Sequence, residues 1–213
     1  MKKVYLIRHA QSQGNADGRI QGWLDSPLNE VGRQQAHLLA RRLATEADFQ
    51  AIFASPLQRA AETAQIIAAY LNCPLNFDDS LREYNMGPIT GLTLAEIKER
   101  FPERYLAFKN NQPAPHLPGE EGEEAFMERV HLGMERILSQ ITGGQPALIV
   151  THSGTINACL RNWLHLNDQR RRPFKLDNAS ITIVEINAAS RRLITLNDTS
   201  HLAGLAFAGE VQE

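Results

Sequence analysis

An α/β domain is the fold class this chain predicts, and three observations predict it. Short runs of β-branched and apolar residues alternate with longer segments whose apolar positions recur every three to four residues. Several of those runs stop at loops crowded with polar, chemically capable side chains, as strands do at the carboxyl edge of an open sheet. At 213 residues, with 43% hydrophobic and 22% charged side chains, the chain is long enough to bury one sizeable core, and residues 1–213 read as a single domain.

Val4-Tyr5-Leu6-Ile7 predicts the opening strand, which delivers Arg8-His9-Ala10-Gln11-Ser12-Gln13-Gly14-Asn15. A loop through Gly18, Gly22 and Asp25 leads into a helix whose apolar side runs Ala36, Leu39, Ala40, Leu43 and Ala47. A second strand near 49–54 stops at Ser55-Pro56, read as an N-cap serine with proline in the first helical position. The helix that follows buries Leu57, Ala60, Ala64 and Ile67, and a short third strand at Leu75 to Phe77 leads to Leu81-Arg82-Glu83-Tyr84. Thr93-Leu94-Ala95-Glu96 is a capping box; its helix breaks at Phe101-Pro102 and resumes through Tyr105 and Phe108. A Pro- and Gly-rich loop over 110–122 completes a helix-and-loop insertion at about 84–122, placed over the active site. Phe126, Val130, Met134, Ile137 and Leu138 then mark a long amphipathic helix. Ala147-Leu148-Ile149-Val150-Thr151 is a buried strand that ends at His152-Ser153-Gly154 before another helix, and strands near 180–186 and 193–196 close the fold.

Three strand ends thus carry Arg8-His9, Ser55 with Arg59 one turn into its helix, and His152-Ser153. A neutral imidazole is a competent nucleophile toward phosphorus, provided the phosphoryl oxygens are held and their charge is neutralised. Arginine supplies that charge in a planar fork matched to phosphate, and small residues such as Gly14 bare the backbone donors. Taken singly, Arg59 reads equally as a partner of Glu62, and His152 as a hydrogen-bonded core histidine. Their common place at one sheet edge favours a shared pocket.

Other classes are disfavoured. A net charge of −2 gives no reason to expect nucleic acid or an anionic membrane as partner, and no apolar run approaches a membrane span. Cys73 and Cys159 have no metal-ligand spacing and read as reduced thiols of a cytoplasmic protein. None of His9, His37, His116, His131, His152, His165 and His201 forms a close ligand pair, so no metal is expected. Gln169-Arg170-Arg171-Arg172 with Lys175 reads as a solvated loop, and the edge near Leu193 as the candidate edge for a homodimer.

Leu6-Ile7-Arg8-His9-Ala10-Gln11-Ser12-Gln13-Gly14-Asn15, Gln21-Gly22-Trp23-Leu24-Asp25-Ser26-Pro27-Leu28, Ser55-Pro56-Leu57-Gln58-Arg59-Ala60, Leu81-Arg82-Glu83 and Thr151-His152-Ser153-Gly154 follow one another in an order that resembles the histidine phosphatase superfamily, phosphoglycerate-mutase-like branch. The resemblance implies a three-layer α/β/α sandwich with a mixed, mostly parallel central sheet, and a phosphohistidine mechanism without metal or other cofactor. It makes His9 the nucleophile, Glu83 the general acid and base, and Arg8, Arg59 and His152 the groups around the transferring phosphoryl. Asn15, Gln21, Gly22 and Ser153 match positions that hydrogen-bond the phosphate or its surroundings.

Glu83-Tyr84-Asn85-Met86-Gly87-Pro88-Ile89-Thr90-Gly91 is short, as in the phosphatases, where the cofactor-dependent mutases carry a longer basic insertion. The expected function is therefore hydrolysis of a small phosphorylated metabolite. A cofactor-dependent phosphoglycerate mutase is the alternative, and a non-catalytic phospholigand-binding module the alternative of another class. Two features depart from the family pattern: Ala10 where glycine is common, and Gly119-Glu120-Glu121-Gly122 where Gly-Gly-Glu-Ser is usual. Met86 stands where relatives that bind phosphoserine place a polar residue.

Overall fold

The computed structural model describes residues 1–110, 112, 115–142, 144–166 and 172–205. The chain runs β1 (Lys2–Arg8), a one-turn helix α1 (Gln13–Ala16), α2 (Glu30–Glu46), β2 (Ala51–Ala54), α3 (Gln58–Leu71), β3 (Leu75–Phe77), α4 (Leu94–Arg100), α5 (Pro102–Lys109), α6 (Glu123–Gln140), β4 (Ala147–Thr151), α7 (Ser153–Trp163), β5 (Ile181–Ile186) and β6 (Arg191–Asp198).

The strands form one six-stranded sheet in the order β3-β2-β4-β1-β5-β6. β3, β2, β4 and β1 are parallel, and β5 runs antiparallel to β1 and β6, so the sheet is mixed and mostly parallel as expected. Successive side chains of a strand point to opposite faces. Val4, Leu6, Phe53, Ala147 and Ile149 accordingly pack with Phe126, Val130, Met134 and Ile137 of α6 and with Ile156 and Leu160 of α7. Tyr5, Ile7, Ile52, Ala54, Leu148 and Val150 pack on the other face with Ala36, Leu39, Ala40 and Leu43 of α2 and Ala60, Ala64 and Ile67 of α3. Burial on both faces is why the central strands are continuously apolar.

Strand order positions the site. β2, β4 and β1 are neighbours, and the β1/β4 register pairs Arg8 with Thr151, so His9 and His152 leave the sheet side by side. His9 N donates to Thr151 O at 2.9 Å, and Ser55 N to Val150 O at 3.0 Å, which extends the ladder one residue past each strand.

One sequence expectation is corrected here. Ser55 does not cap α3: its N-cap is Leu57, in extended conformation, and the helix starts at Gln58. Ser55 is still part of the sheet ladder, and its hydroxyl lies 2.8 Å from His152 Nε2. The helix instead takes a cap from a distant loop, Gln58 N donating to Asp25 Oδ1 at 2.7 Å. The Thr93 capping box forms as expected, Thr93 N donating to Glu96 Oε2 at 2.7 Å, and the chain breaks at Phe101 before Pro102. No helix among the described residues is long and apolar enough to cross a membrane.

Candidate active site

His9 is 3% exposed and held from every side. Its carbonyl accepts from Ala179 N at 3.2 Å and from Asn178 Nδ2 at 3.0 Å, which fixes the backbone. Its Nδ1 lies 2.7 Å from the Ala10 carbonyl and must carry the ring proton, because a carbonyl only accepts. Nε2 is then the ring's lone pair, and it accepts from Arg59 Nε at 3.2 Å. Burial, then the Arg59 and Arg8 guanidiniums, push the imidazole well below its ordinary range. An uncharged ring with a defined tautomer and an aimed lone pair is what attack on phosphorus requires.

Arg59 is 1% exposed. Its two terminal nitrogens donate to Leu24 O and Gly22 O, both at 2.8 Å, which locks the fork and leaves Nε pointing at the imidazole. Gly22 presents that carbonyl from φ +49°, and a Cβ there would meet Met86 Cβ and Tyr84 O at 3.0 Å, so the turn needs glycine. Arg8 reaches from the end of β1 to the Leu176 carbonyl. His152 lies beside His9, ring centroids 5.2 Å apart, and burial followed by Arg59 pushes it well below the ordinary imidazole range too. Its Nδ1 is buried without a hydrogen-bond partner, while Ser55 engages Nε2.

Glu83 is buried, and its carboxylate accepts from Tyr84 N at 2.8 Å and from Gly154 N, in the first turn of α7, at 2.9 Å. Its loop is held by carbonyls. Arg129 of α6 donates to Ser80 O, Arg82 O and Glu83 O at 2.8, 3.0 and 3.2 Å, and is itself gripped by both oxygens of Glu121. Thr155 Oγ1 donates to Arg82 O, and Trp23 Nε1 to Glu83 O at 2.7 Å, with the Arg82 guanidinium over the indole. The departing Gly119-Glu120-Glu121-Gly122 stretch is therefore structural: Glu121 braces Arg129, and Glu120 pairs with buried Arg104.

Arg8, His9, Asn15, Gln21, Gly22, Arg59, Glu83 and Ser153 line one cavity of about 40 Å³, and His152 abuts it through His9. Asn15 is placed by the Ser12 capping box on α1, a one-turn helix the sequence pattern did not reveal, and Gln21 Oε1 accepts from Ser12 Oγ at 2.8 Å. Asn178 joins the site without having been expected in it, holding the His9 carbonyl, while Ser55, expected at this sheet edge as a helix cap, reaches the site as the partner of His152. Arg172 corrects the reading of a solvated charge run, since it is half-buried and lines this cavity, while Gln169, Arg170 and Arg171 lie outside the described residues. Among the described residues no three His, Cys, Asp or Glu side chains gather as a metal site would need.

Two neutral buried histidines have a consequence for stability. In the unfolded chain each would take a proton near pH 6.5, whereas in the folded state each resists it. Below that pH the unfolded state binds more protons, so stability rises with pH there and falls as pH drops through the window. The denaturation midpoint is expected to fall between about pH 7 and pH 5, above the range near pH 4 where carboxylates such as Asp78 and Asp198 withdraw their contributions. Urea melts across that range check this; a flat midpoint would contradict it.

The chain is similar to known proteins along nearly its whole length. The family model of the histidine phosphatase superfamily (branch 1) matches residues 4–199. The chain is 34% identical over 208 residues to the metal-independent phosphoserine phosphatase of Arabidopsis thaliana, covering 96% of this chain and 85% of that one. It is 33% identical over 208 residues to phosphoglycerate mutase-like protein 4 of the same plant, covering 96% and 89%. The solved structure of mycobacterial glucosyl-3-phosphoglycerate phosphatase in complex with VO3 superposes with a TM-score of 0.81 at 30% identity, covering 92% of this chain and 99% of that one.

Proposed function

The chain belongs to the histidine phosphatase superfamily, and we propose that it hydrolyses a small phosphomonoester through a phosphohistidine at His9, with Glu83 as general acid and base and no metal. The activity class, phosphoric monoester hydrolase, is that of its phosphatase relatives. The observation that carries the catalytic assignment is the imidazole itself: neutral, with Nδ1 tied to Ala10 and the Nε2 lone pair facing a buried guanidinium.

In this reading the entering phosphoryl group takes over the Arg59 hydrogen bond, which frees Nε2 to attack phosphorus. Arg8, Arg59 and His152 stabilise the charge on the equatorial oxygens, a task of preorganised electrostatics. Asn15, Gln21, Gly22 and Ser153 border the same space and position the phosphate. The protonated Glu83 carboxyl gives its proton to the leaving oxygen. The resulting carboxylate takes a proton from water, whose oxygen attacks phosphorus, displaces His9 and leaves as phosphate with the ring restored. The arginines supply the charge a metal ion would otherwise bring. Exposed Ile194 and Leu196 on the edge strand β6 support that strand as the candidate homodimer edge.

The test is phosphate release from p-nitrophenyl phosphate in the presence of a chelator, run beside a phosphoglycerate mutase assay with and without bisphosphoglycerate. Hydrolysis undiminished by chelator is expected. Bisphosphate-dependent isomerisation faster than phosphate release would turn the assignment to a mutase.

A further inference from the structure

Gln21-Gly22-Trp23-Leu24 closes a tight turn, Leu24 N donating to Gln21 O at 2.7 Å. Two of its carbonyls, Gly22 O and Leu24 O, hold the terminal nitrogens of Arg59. Trp23 stands between them in sequence, is 39% exposed, and lies outside the cavity at His9. An indole so exposed adds little to a core. Its one polar atom is nevertheless engaged, because Nε1 donates to the Glu83 carbonyl at 2.7 Å.

That carbonyl belongs to the peptide between Glu83 and Tyr84, and the N–H of the same peptide donates to Glu83 Oε1 at 2.8 Å. The peptide is trans and planar, with its C=O and N–H pointing in opposite directions, so a tilt imposed at one end is carried to the other. A donor on the carbonyl thereby aims the N–H that holds the carboxylate. Arg129 reaches the same oxygen at a longer 3.2 Å, its other donors being taken by Ser80 O, Arg82 O and Glu121. The turn also packs on the residues after Glu83: a Cβ at Gly22 would meet Met86 Cγ at 2.9 Å and Tyr84 O at 3.0 Å. Arg82, 5.1 Å from the indole centroid and anchored through Nε to Asp79 Oδ1 at 2.7 Å, steadies the ring.

We propose that Trp23 is a positioning residue for proton transfer: its indole N–H sets the peptide plane that presents the Glu83 carboxyl, and so ties the general acid and base to the turn that fixes Arg59. The inference rests on the role given to Glu83 above. It assigns Trp23 to the two events that need that carboxyl, protonation of the leaving oxygen and activation of water. Capture of the phosphoryl group and attack by His9 do not depend on it.

The experiment uses Trp23→Phe, which keeps a ring for Arg82 and removes the N–H. Because the indole is exposed, the urea midpoint is expected to stay at the wild-type value. In single turnovers of p-nitrophenyl phosphate, nitrophenolate leaves unprotonated and is expected at the wild-type rate, with unchanged affinity for inorganic phosphate by calorimetry. Phosphate release from the phosphorylated enzyme is expected to slow by about 10- to 100-fold, within the loss that misplacing a catalytic group by about 1 Å brings. Trp23→Phe combined with Glu83→Gln is expected to release phosphate no more slowly than Glu83→Gln alone, since a residue that acts only through Glu83 has nothing left to remove.

Three results overturn the proposal: phosphate release at the wild-type rate, a double variant slower than Glu83→Gln, or a joint fall in nitrophenolate release, phosphate affinity or the urea midpoint, which would assign the indole to the Arg59 turn or to the fold. Unimpaired turnover in Glu83→Gln itself removes the acid and base reading and this inference with it. A crippled Glu83→Gln beside a Trp23→Phe that behaves as wild type removes this inference alone.

Discussion

His9→Ala is expected to lower kcat for phosphate release by about 10⁴-fold or more, the scale on which enzymes lose activity with their attacking residue. No neighbouring group replaces it. The Nε2 of His152 is engaged by Ser55, and its ring lies beside the first one with centroids 5.2 Å apart. The variant also separates chemistry from binding. In the wild-type protein the Arg59 Nε–H is engaged by His9 Nε2, and in the variant that donor loses its acceptor. Inorganic phosphate is therefore expected to bind the alanine variant as tightly as wild type or more so, measured by calorimetry. A variant that retains turnover, or that loses phosphate binding along with it, contradicts the role given to this residue.

Glu83→Gln is expected to cost about 10²- to 10⁴-fold, the usual contribution of a positioned general acid and base. Glutamine keeps the acceptor for Tyr84 N but turns an amide toward Gly154 N, so the loop stays nearly in place while the proton is lost. The two half-reactions respond differently. Nitrophenolate leaves without being protonated, whereas water cannot attack the phosphohistidine without a base. With p-nitrophenyl phosphate the variant should release a burst of about one nitrophenolate per site and then stall with the enzyme phosphorylated. Gly154→Ala is a second route to the same defect, because a Cβ at that position overlaps the Glu83 carboxylate. Steady turnover without a burst in the glutamine variant would show that Glu83 serves neither step.

Much of this site was legible in the sequence because it depends on local order. Strand ends are visible as breaks in apolar runs, and the three that carry Arg8-His9, Ser55 and His152-Ser153 are neighbours in the sheet. The sequence could not show why they converge, since β1 meets β4 across more than a hundred residues, and that pairing alone brings His9 beside His152. Ser55 was misread for the same reason. A serine before proline looks like a local cap, and only the fold places a histidine within reach of its hydroxyl. Arg129 left no signal at all: on α6 it reads as an ordinary helix-surface cation, yet it organises the Glu83 loop through three carbonyls and Glu121. The acidic Gly119-to-Gly122 loop likewise acquires its meaning only from the arginines it meets, Arg104 and Arg129.

The account turns on a covalent bond between phosphorus and one imidazole. Rapid quenching of wild-type enzyme during turnover, followed by mass analysis of the peptide that spans Leu6 to Gly14, tests it most directly. The expected result is a phosphoryl group on His9 that is labile in acid, stable in base, and formed at least as fast as phosphate is released. Full turnover with no phosphoryl on that residue, or with the label elsewhere, would contradict it.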